Sequence, residues 1–506
     1  MTPAEHSFST ADPTAAPPEA ATASGRVGGL SRGATAAFLG IPFAAAPTGR
    51  RRFLAPQRPA PWDGTRICDR FGPTPQRRPF GPVTTIPEPS IPGDDTLSVN
   101  VFTPAPGDVR AGLPVFVWVH GGGYFAGSPA SPWYDGSAFA RDGVVVVTLS
   151  YRLGFDGFGW IEGAPLNRGV LDQIAALEWV QENIRSFGGD PARVTIGGQS
   201  AGGGSVLALL ASPKAEGLFA GAISHSGAPG RTTVPEAEAV GRGFARALGI
   251  APTLEAWRSV DEDTVLDHER KHNRLDDGTG DGSPAAVLAG IVREPLSTGL
   301  AFAPVADGEI VVAVDEAITA GAGSEVSLLL GATRNEFAFP QDVSADDVVA
   351  AARAAGVGEA GVDRFRAETA TVGEQYAGSQ LRVARMFRGP AVHVARTRAA
   401  AGAGSITWLY DFARHSPVDG LSAHCHDLPF AWDLLAADGV SRVLGDEPPQ
   451  ALADAMHADW VAFVATGRAD WTPAADAPRG ARVYDRDPVF DPEAYAFEAD
   501  LLEERR

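Results

Sequence analysis

Two runs of this chain, Leu113–Val119 (LPVFVWV) and residues 144–149 (VVVVTL), are rich in β-branched residues and carry no alternating polar positions. A strand with one wet face alternates, so these runs read as strands covered on both faces, the setting of a parallel sheet. The next segments narrow the choice further. Residues 171–187 (LDQIAALEWVQENIRSF) set Ile174, Leu177, Trp179 and Ile184 at largely helical spacing, and Gly188-Gly189-Asp190-Pro191 ends the pattern. Residues 193–197 then read as a short strand, 201–211 as a helix of small residues and leucine, and 219–225 as a further strand. This alternation predicts an α/β fold with a mostly parallel, twisted central sheet flanked by helices.

Later elements are sparser: residues 326–330 and 406–410 read as strands and 451–466 as a C-terminal amphipathic helix. The stretches about 230–300 and 341–400 read as helical or irregular insertions over one end of the sheet, of the kind that shape a substrate pocket. Residues 1–25, rich in Ala, Pro, Thr and Ser, are expected to be a flexible tail, and residues 26–506 a single domain. No repeat of fixed period is present, which removes solenoids and propellers. Asp276 to Gly282 (DDGTGDG) is reminiscent of a calcium loop but lacks the terminal bidentate Glu, so an exposed loop is expected there.

Charge restricts the partners. With 42 Lys plus Arg against 62 Asp plus Glu, the formal net charge is −20, the wrong sign for a phosphate-backbone binder or for an anionic membrane surface. The apolar runs are strand-sized, so no membrane span is expected. Cys68 and Cys425 are the two cysteines, which excludes a disulfide scaffold and fits a cytoplasmic location. Oligomeric state leaves no signature.

The pattern G-x-S-x-G occurs twice, around Ser31 and around Ser200. Nucleophilic chemistry needs the serine on a sharp strand-to-helix turn, where small neighbours permit strained backbone angles. Only Ser200 has a strand before it and a helix after it, and Ser31 is expected in a glycine-rich loop. The ordinary alternative for Ser200 is a glycine-rich connection with a satisfied hydroxyl. Upstream, His120-Gly121-Gly122-Gly123 follows the strand ending at Val119, where side-chain-free N–H groups could approach a substrate oxygen. Gly122 and Gly123, with the N–H of Ala201, are the candidate oxyanion donors.

The chain resembles the type B carboxylesterase/lipase family of α/β-hydrolases over about residues 36–490. The resemblance rests on residues 40–44 (GIPFA), 97–102 (LSVNVF), HGGG at 120, Tyr151-Arg152-Leu153-Gly154, 167–184, 187–191 (FGGDP), 194–206 and 460–467 (WVAFVATG). It implies an α/β-hydrolase fold and a serine hydrolase cleaving carboxylic esters, with short to medium-chain or aromatic esters expected, and no cofactor or metal. It also implies Glu336 as the acid, in Gly331-Ala332-Thr333-Arg334-Asn335-Glu336, and His424 as the base, in His424-Cys425-His426-Asp427-Leu428-Pro429-Phe430. The order Ser200, Glu336, His424 is nucleophile, acid, base. Ser226 is implied as a partner of Glu336, and Arg152 with Asp172 as a structural ion pair.

Three departures stand out. Gln199 precedes the nucleophile where many relatives have Glu, Phe337 follows the acid where Gly is common, and Thr96 and Ser98 lie where secreted relatives keep a disulfide cysteine. A metal reading of residues 424–427 lacks a second ligand cluster. The same machinery could serve a carbamate or amide hydrolase, and some family members are non-catalytic binding modules, which usually lack the serine.

Overall fold

The computed structural model describes residues 17–76, 81, 84–230, 232–272, 288 and 300–502. Its centre is an eleven-stranded sheet. In chain order the strands are β1 (Leu30–Arg32), β2 (Thr35–Pro42), β3 (Ser98–Thr103), β4 (Leu113–Val119), β5 (Val145–Leu149), β6 (Gly189–Gln199), β7 (Gly221–His225), β8 (Ser327–Thr333), β9 (Thr407–Phe412), β10 (Ala481–Tyr484) and β11 (Val489–Asp491). Across the sheet they lie in the order β11-β10-β9-β8-β7-β6-β4-β5-β3-β2-β1. From β5 through β10 every neighbouring pair is parallel, while β1, β2, β3 and β11 add antiparallel edges.

The apolar runs explain where the core sits. Successive side chains of a strand point to opposite faces, so β4 sends Val115, Val117 and Val119 to one side and Phe116 and Trp118 to the other, all buried. The first face packs under helices α1 (Arg168–Asn183) and α2 (Ala201–Leu210), and the second under α3 (Gln450–Thr466). Full burial of each such side chain contributes about 1.5–3 kcal/mol. That is why a strand sequence without alternation is stable only in the middle of a two-sided sheet.

Several expectations need correction. Residues 19–25 are not a flexible tail, because Glu19–Thr22 is a strand paired antiparallel with Gly25–Gly28, and Ala20 is buried against the core. Ser31 lies in edge strand β1, not in a loop, and no helix follows it: the chain turns directly into β2. The strand expected at 193–197 starts at Gly189, directly after the helix-ending turn at Gly188, since β4 offers it pairing partners from Leu113 onward. The stretch about 341–400 is helical, with Ala345–Ala355, Glu359–Val372, Ala377–Val383 and Gly389–Ala400 in succession. The other stretch carries Val234–Leu248, Leu254–Arg258 and Glu262–His272; the loop at 276–282 lies outside the described residues. Among the described residues no helix is long and apolar enough to cross a membrane, and no group of His, Cys, Asp and Glu side chains could hold a metal ion.

Arg152 and Asp172 form a bidentate pair, with 2.7 Å contacts from both Nε and Nη2, and both side chains are buried. Asp172 also accepts the Arg152 backbone N–H at 3.0 Å, which ties the segment after β5 to α1. Removing one partner strands the other charge in the interior. Arg152→Met should therefore lower the unfolding free energy by about 3–5 kcal/mol, read from urea denaturation; an unchanged midpoint would refute a structural role for the pair.

Candidate functional site

Strand β6 stops at Gln199, helix α2 starts at Ala201, and Ser200 makes the turn between them at φ 58° and ψ −121°. A non-glycine residue is strained there, so the surroundings must hold it. They do so through close backbone approach. A Cβ on Gly202 would lie 2.0 Å from the Val119 carbonyl oxygen, and one on Gly198 2.4 Å from Gly202 itself. The glycines flanking Ser200 thus let α2 press its first turn against β4 and β6. The Ser200 N–H donates to the His225 carbonyl at 2.8 Å, fixing the turn from the β7 side. Ser200 itself is half-buried, within reach of a substrate.

The glycine run after β4 lies against this turn. A Cβ on Gly121 would fall 2.6 Å from the Gln199 carbonyl oxygen and 3.2 Å from the Ser200 Cβ. Gly122 has φ 112° and would clash with the Ala126 backbone if substituted. Among the described residues no acceptor takes the N–H of Gly122, Gly123 or Ala201. His120, stacked on Tyr151, is driven by burial down to a pKa of about 4 and so stays neutral. Its backbone oxygen accepts the Tyr151 hydroxyl at 2.8 Å, which anchors the run.

The candidate acid and base, Glu336 and His424, lie on loops after β8 and β9. Glu336, at φ 40° and buried, accepts at Oε1 from the Ser226 hydroxyl at 2.5 Å and the Thr333 N–H at 2.9 Å. Its other oxygen, Oε2, meets His424 Nδ1. The two loops are also joined through backbone: the His424 N–H donates to the Glu336 carbonyl at 3.0 Å, and the Asn335 N–H to that of Ser422 at 2.9 Å. With Nδ1 donating to a carboxylate, Nε2 presents its lone pair. That lone pair faces the Gln199 amide, 2.9 Å away, and among the described residues no hydrogen bond joins it to the Ser200 hydroxyl. Burial disfavours the imidazolium, but the Cys425 thiol and the Glu336 carboxylate against the ring overcome it and hold His424 well above the ordinary 6.5.

Ser200, Glu336, His424, Gln199 and Ser226 therefore gather at the ends of adjacent parallel strands, with Ala201 opening the helix after the serine turn and Gly122 and Gly123 following Gly121, which lies against that turn. The site also contains residues that sequence reasoning passed over. His225 donates from Nδ1 to Asp427 Oδ2 (2.9 Å) and accepts from the Trp460 indole (2.9 Å), and Tyr410 donates its hydroxyl to the same Asp427 oxygen. This buried network links the residue that holds the Ser200 N–H to the loop that carries His424. His225 adjoins Ser226 and Asp427 follows His424 by three, but nothing in their spacing announced that they touch. Cys425, with φ 74°, is free and buried, as is Cys68.

A strand-to-helix serine turn, a carboxylate-bound imidazole and a glycine-lined run of free N–H groups are the parts of an acyl-transfer site. The model of the carboxylesterase family matches residues 16–356. The chain belongs to this family. It is 35% identical over 465 residues to the para-nitrobenzyl esterase of Bacillus subtilis, covering 88% of each chain. A fumonisin B1 esterase of Sphingopyxis macrogoltabida is 42% identical over a shorter span, 47% of this chain and 44% of that one. Among solved structures, a PNB esterase superposes with a TM-score of 0.79 at 30% identity, covering 96% of this chain and 100% of the other. A Geobacillus stearothermophilus carboxylesterase does so with a TM-score of 0.76 at 30% identity and the same coverage. The fold is that of an α/β-hydrolase, and the protein is a carboxylic ester hydrolase.

The close approach at the serine turn is testable apart from activity. Gly202→Ala must move a helix off a strand and should cost about 1–3 kcal/mol. Gly243→Ala, in the open face of helix Val234–Leu248 with only the Arg246 guanidinium 3.7 Å away, should instead gain about 0.5–1 kcal/mol from helix propensity. Urea midpoints moving in the same direction would overturn this account.

Proposed function

We propose that Ser200 attacks the carbonyl carbon of an ester, with His424 as general base, Glu336 as the group that orients and charge-balances the imidazole, and the N–H groups of Gly122, Gly123 and Ala201 as oxyanion donors. The observation that carries this reading is the contact of Glu336 with His424 Nδ1, which leaves Nε2 as a base beside a strained, accessible serine. A serine at its free pKa is a weak nucleophile and needs that base. As the substrate docks, the Gln199 amide yields Nε2 to the Ser200 hydroxyl; catalytic hydrogen bonds commonly tighten only in the substrate complex.

The hydroxyl proton then passes to Nε2 as the C–O bond forms, and negative charge collects on the carbonyl oxygen against the three N–H groups. Loss of one such donor typically costs about 3 kcal/mol of barrier. Collapse expels the alcohol, which takes the proton from Nε2 and leaves an acyl-serine. Water, deprotonated by the same nitrogen, releases the carboxylic acid. Three donors hold the Glu336 carboxyl group in place throughout, so the imidazole keeps one orientation in both halves of the reaction.

Residues 26–506, together with the strand pair that begins at Glu19, act in this reading as one catalytic unit, with the stretches about 230–300 and 341–400 as pocket walls. Short to medium-chain or aromatic esters are the substrates it favours. Two free cysteines suit a reducing compartment, and the cytoplasm is the proposed location.

Ser200→Ala should lower kcat on a chromogenic ester by about four orders of magnitude or more, with circular dichroism unchanged; equal rates would sink the assignment. The base must be neutral to act, so kcat/KM should rise with pH through the His424 pKa. Since that pKa is held above 6.5, the acid limb should have its midpoint above 6.5. Glu336→Gln, which removes the charge favouring the imidazolium, should shift the limb to lower pH. A wild-type limb at or below 6.5, or one that Glu336→Gln leaves in place, contradicts the assigned pair.

A further inference from the structure

Phe337 directly follows the acid, yet 48% of it is exposed, an unusual position for an aromatic ring beside a buried charge network. The ring lies on the His424 imidazole, with centroids 4.2 Å apart and planes 33° apart. Phe387, buried, approaches the same imidazole at 5.2 Å and Phe337 at 5.7 Å. It sits in the short π-helical segment Ala384–Arg388, between helices Ala377–Val383 and Gly389–Ala400. Such widened turns re-aim side chains and concentrate at functional sites. Two unrelated elements thus bring aromatic rings to the one group that must hand a proton to the leaving alcohol.

That proton transfer fixes which part of a substrate meets them. Nε2 must come within hydrogen-bond reach of the departing oxygen, so the alcohol portion of the ester lies beside the imidazole, while the acyl portion lies toward Ser200 and the glycine run. We propose that Phe337, backed by Phe387, is the wall against which the alcohol portion packs, and that it selects esters of flat, aromatic alcohols over esters of small aliphatic ones. This rests on the assignment of His424 as the base. An exposed aromatic face offers such a group offset or edge-to-face contact that a small alkyl group cannot return.

The test compares full-length wild type, Phe337→Ala, Phe337→Leu and Phe337→Tyr. Benzyl acetate and ethyl acetate form the same acetyl-enzyme, so their kcat/KM ratio reports the alcohol side alone and cancels any general effect on the base. This ratio should fall about tenfold in Phe337→Ala, fall in Phe337→Leu, and return in Phe337→Tyr. The ratio of ethyl benzoate to ethyl acetate, which reports the acyl side, should change less than twofold. An unchanged benzyl-to-ethyl ratio in both the Ala and Leu variants overturns the proposal, whatever happens to absolute rates. A fall in the benzoate ratio as large as in the benzyl ratio overturns the assignment to the alcohol side. Undiminished hydrolysis by Ser200→Ala instead counts against the catalytic assignment, so the two failures are read from different numbers.

Discussion

The contact on which the site depends is backbone against backbone: Gly202, in the first turn of α2, lies against the carbonyl of Val119 at the end of β4. No side chain is involved. Because two chain segments meet there at a distance that no Cβ tolerates, only glycine lets α2 begin directly against the sheet, with Ser200 making the turn at φ 58°, outside the ordinary β and α regions. A strained residue persists only where its surroundings over-determine it. Here the surroundings are the fully buried centre of the sheet, so the strain draws on the stability of β4, β6 and β7 together.

The parallel sheet then brings the rest of the chemistry to one edge. Parallel strands all end on the same side, and ligands in such folds bind beyond their carboxyl ends. Residues far apart in sequence therefore become neighbours because β4, β6, β7, β8 and β9 stand side by side in the sheet. The loops are not left to find one another. Backbone bonds tie the Glu336 loop to the His424 loop, and the His225–Asp427–Tyr410–Trp460 network ties the His424 loop to the strand that holds Ser200. In the low dielectric of the interior such hydrogen bonds are stronger than in water, so the network can hold the His424 loop in register with β7 and β9.

Much of this architecture is legible in the amino-acid sequence. The strands with no polar alternation, the helix at α1, and the choice of Ser200 over Ser31 follow from patterning, since burial on two faces and the strand–turn–helix context are local properties. Glu336, His424 and Ser226 are reached through family resemblance, because nothing in their local sequence says that loops after β8 and β9 converge. Three features are hidden for the same reason. The pairing of His225 with Asp427, the contact of Gln199 with Nε2 and the placing of Phe387 on the imidazole are all set by how loops and helices cross in space. The early strand at Glu19–Thr22 escapes a reading by pattern because four residues of alanine-rich sequence carry little β propensity; its partner at Gly25–Gly28 and its buried Ala20 decide the matter.

The electrostatics of the site also separate from those of the whole chain. A net charge of −20 would suggest an acidic cleft, but the Glu336 carboxylate is already engaged, since it accepts from Ser226, from the Thr333 backbone and from His424. Where a second acid could have stood, Gln199 supplies an uncharged amide whose N–H is turned to His424 Nε2. The groups nearest an incoming substrate are then a hydroxyl, free backbone N–H groups, an amide and aromatic rings. None of these attracts a cation as a carboxylate would, and all suit a neutral ester whose only charge appears during the reaction. The acidity of the surface and the neutrality of the site are independent solutions, one to solubility and the other to letting the oxyanion form without a competing negative charge beside it.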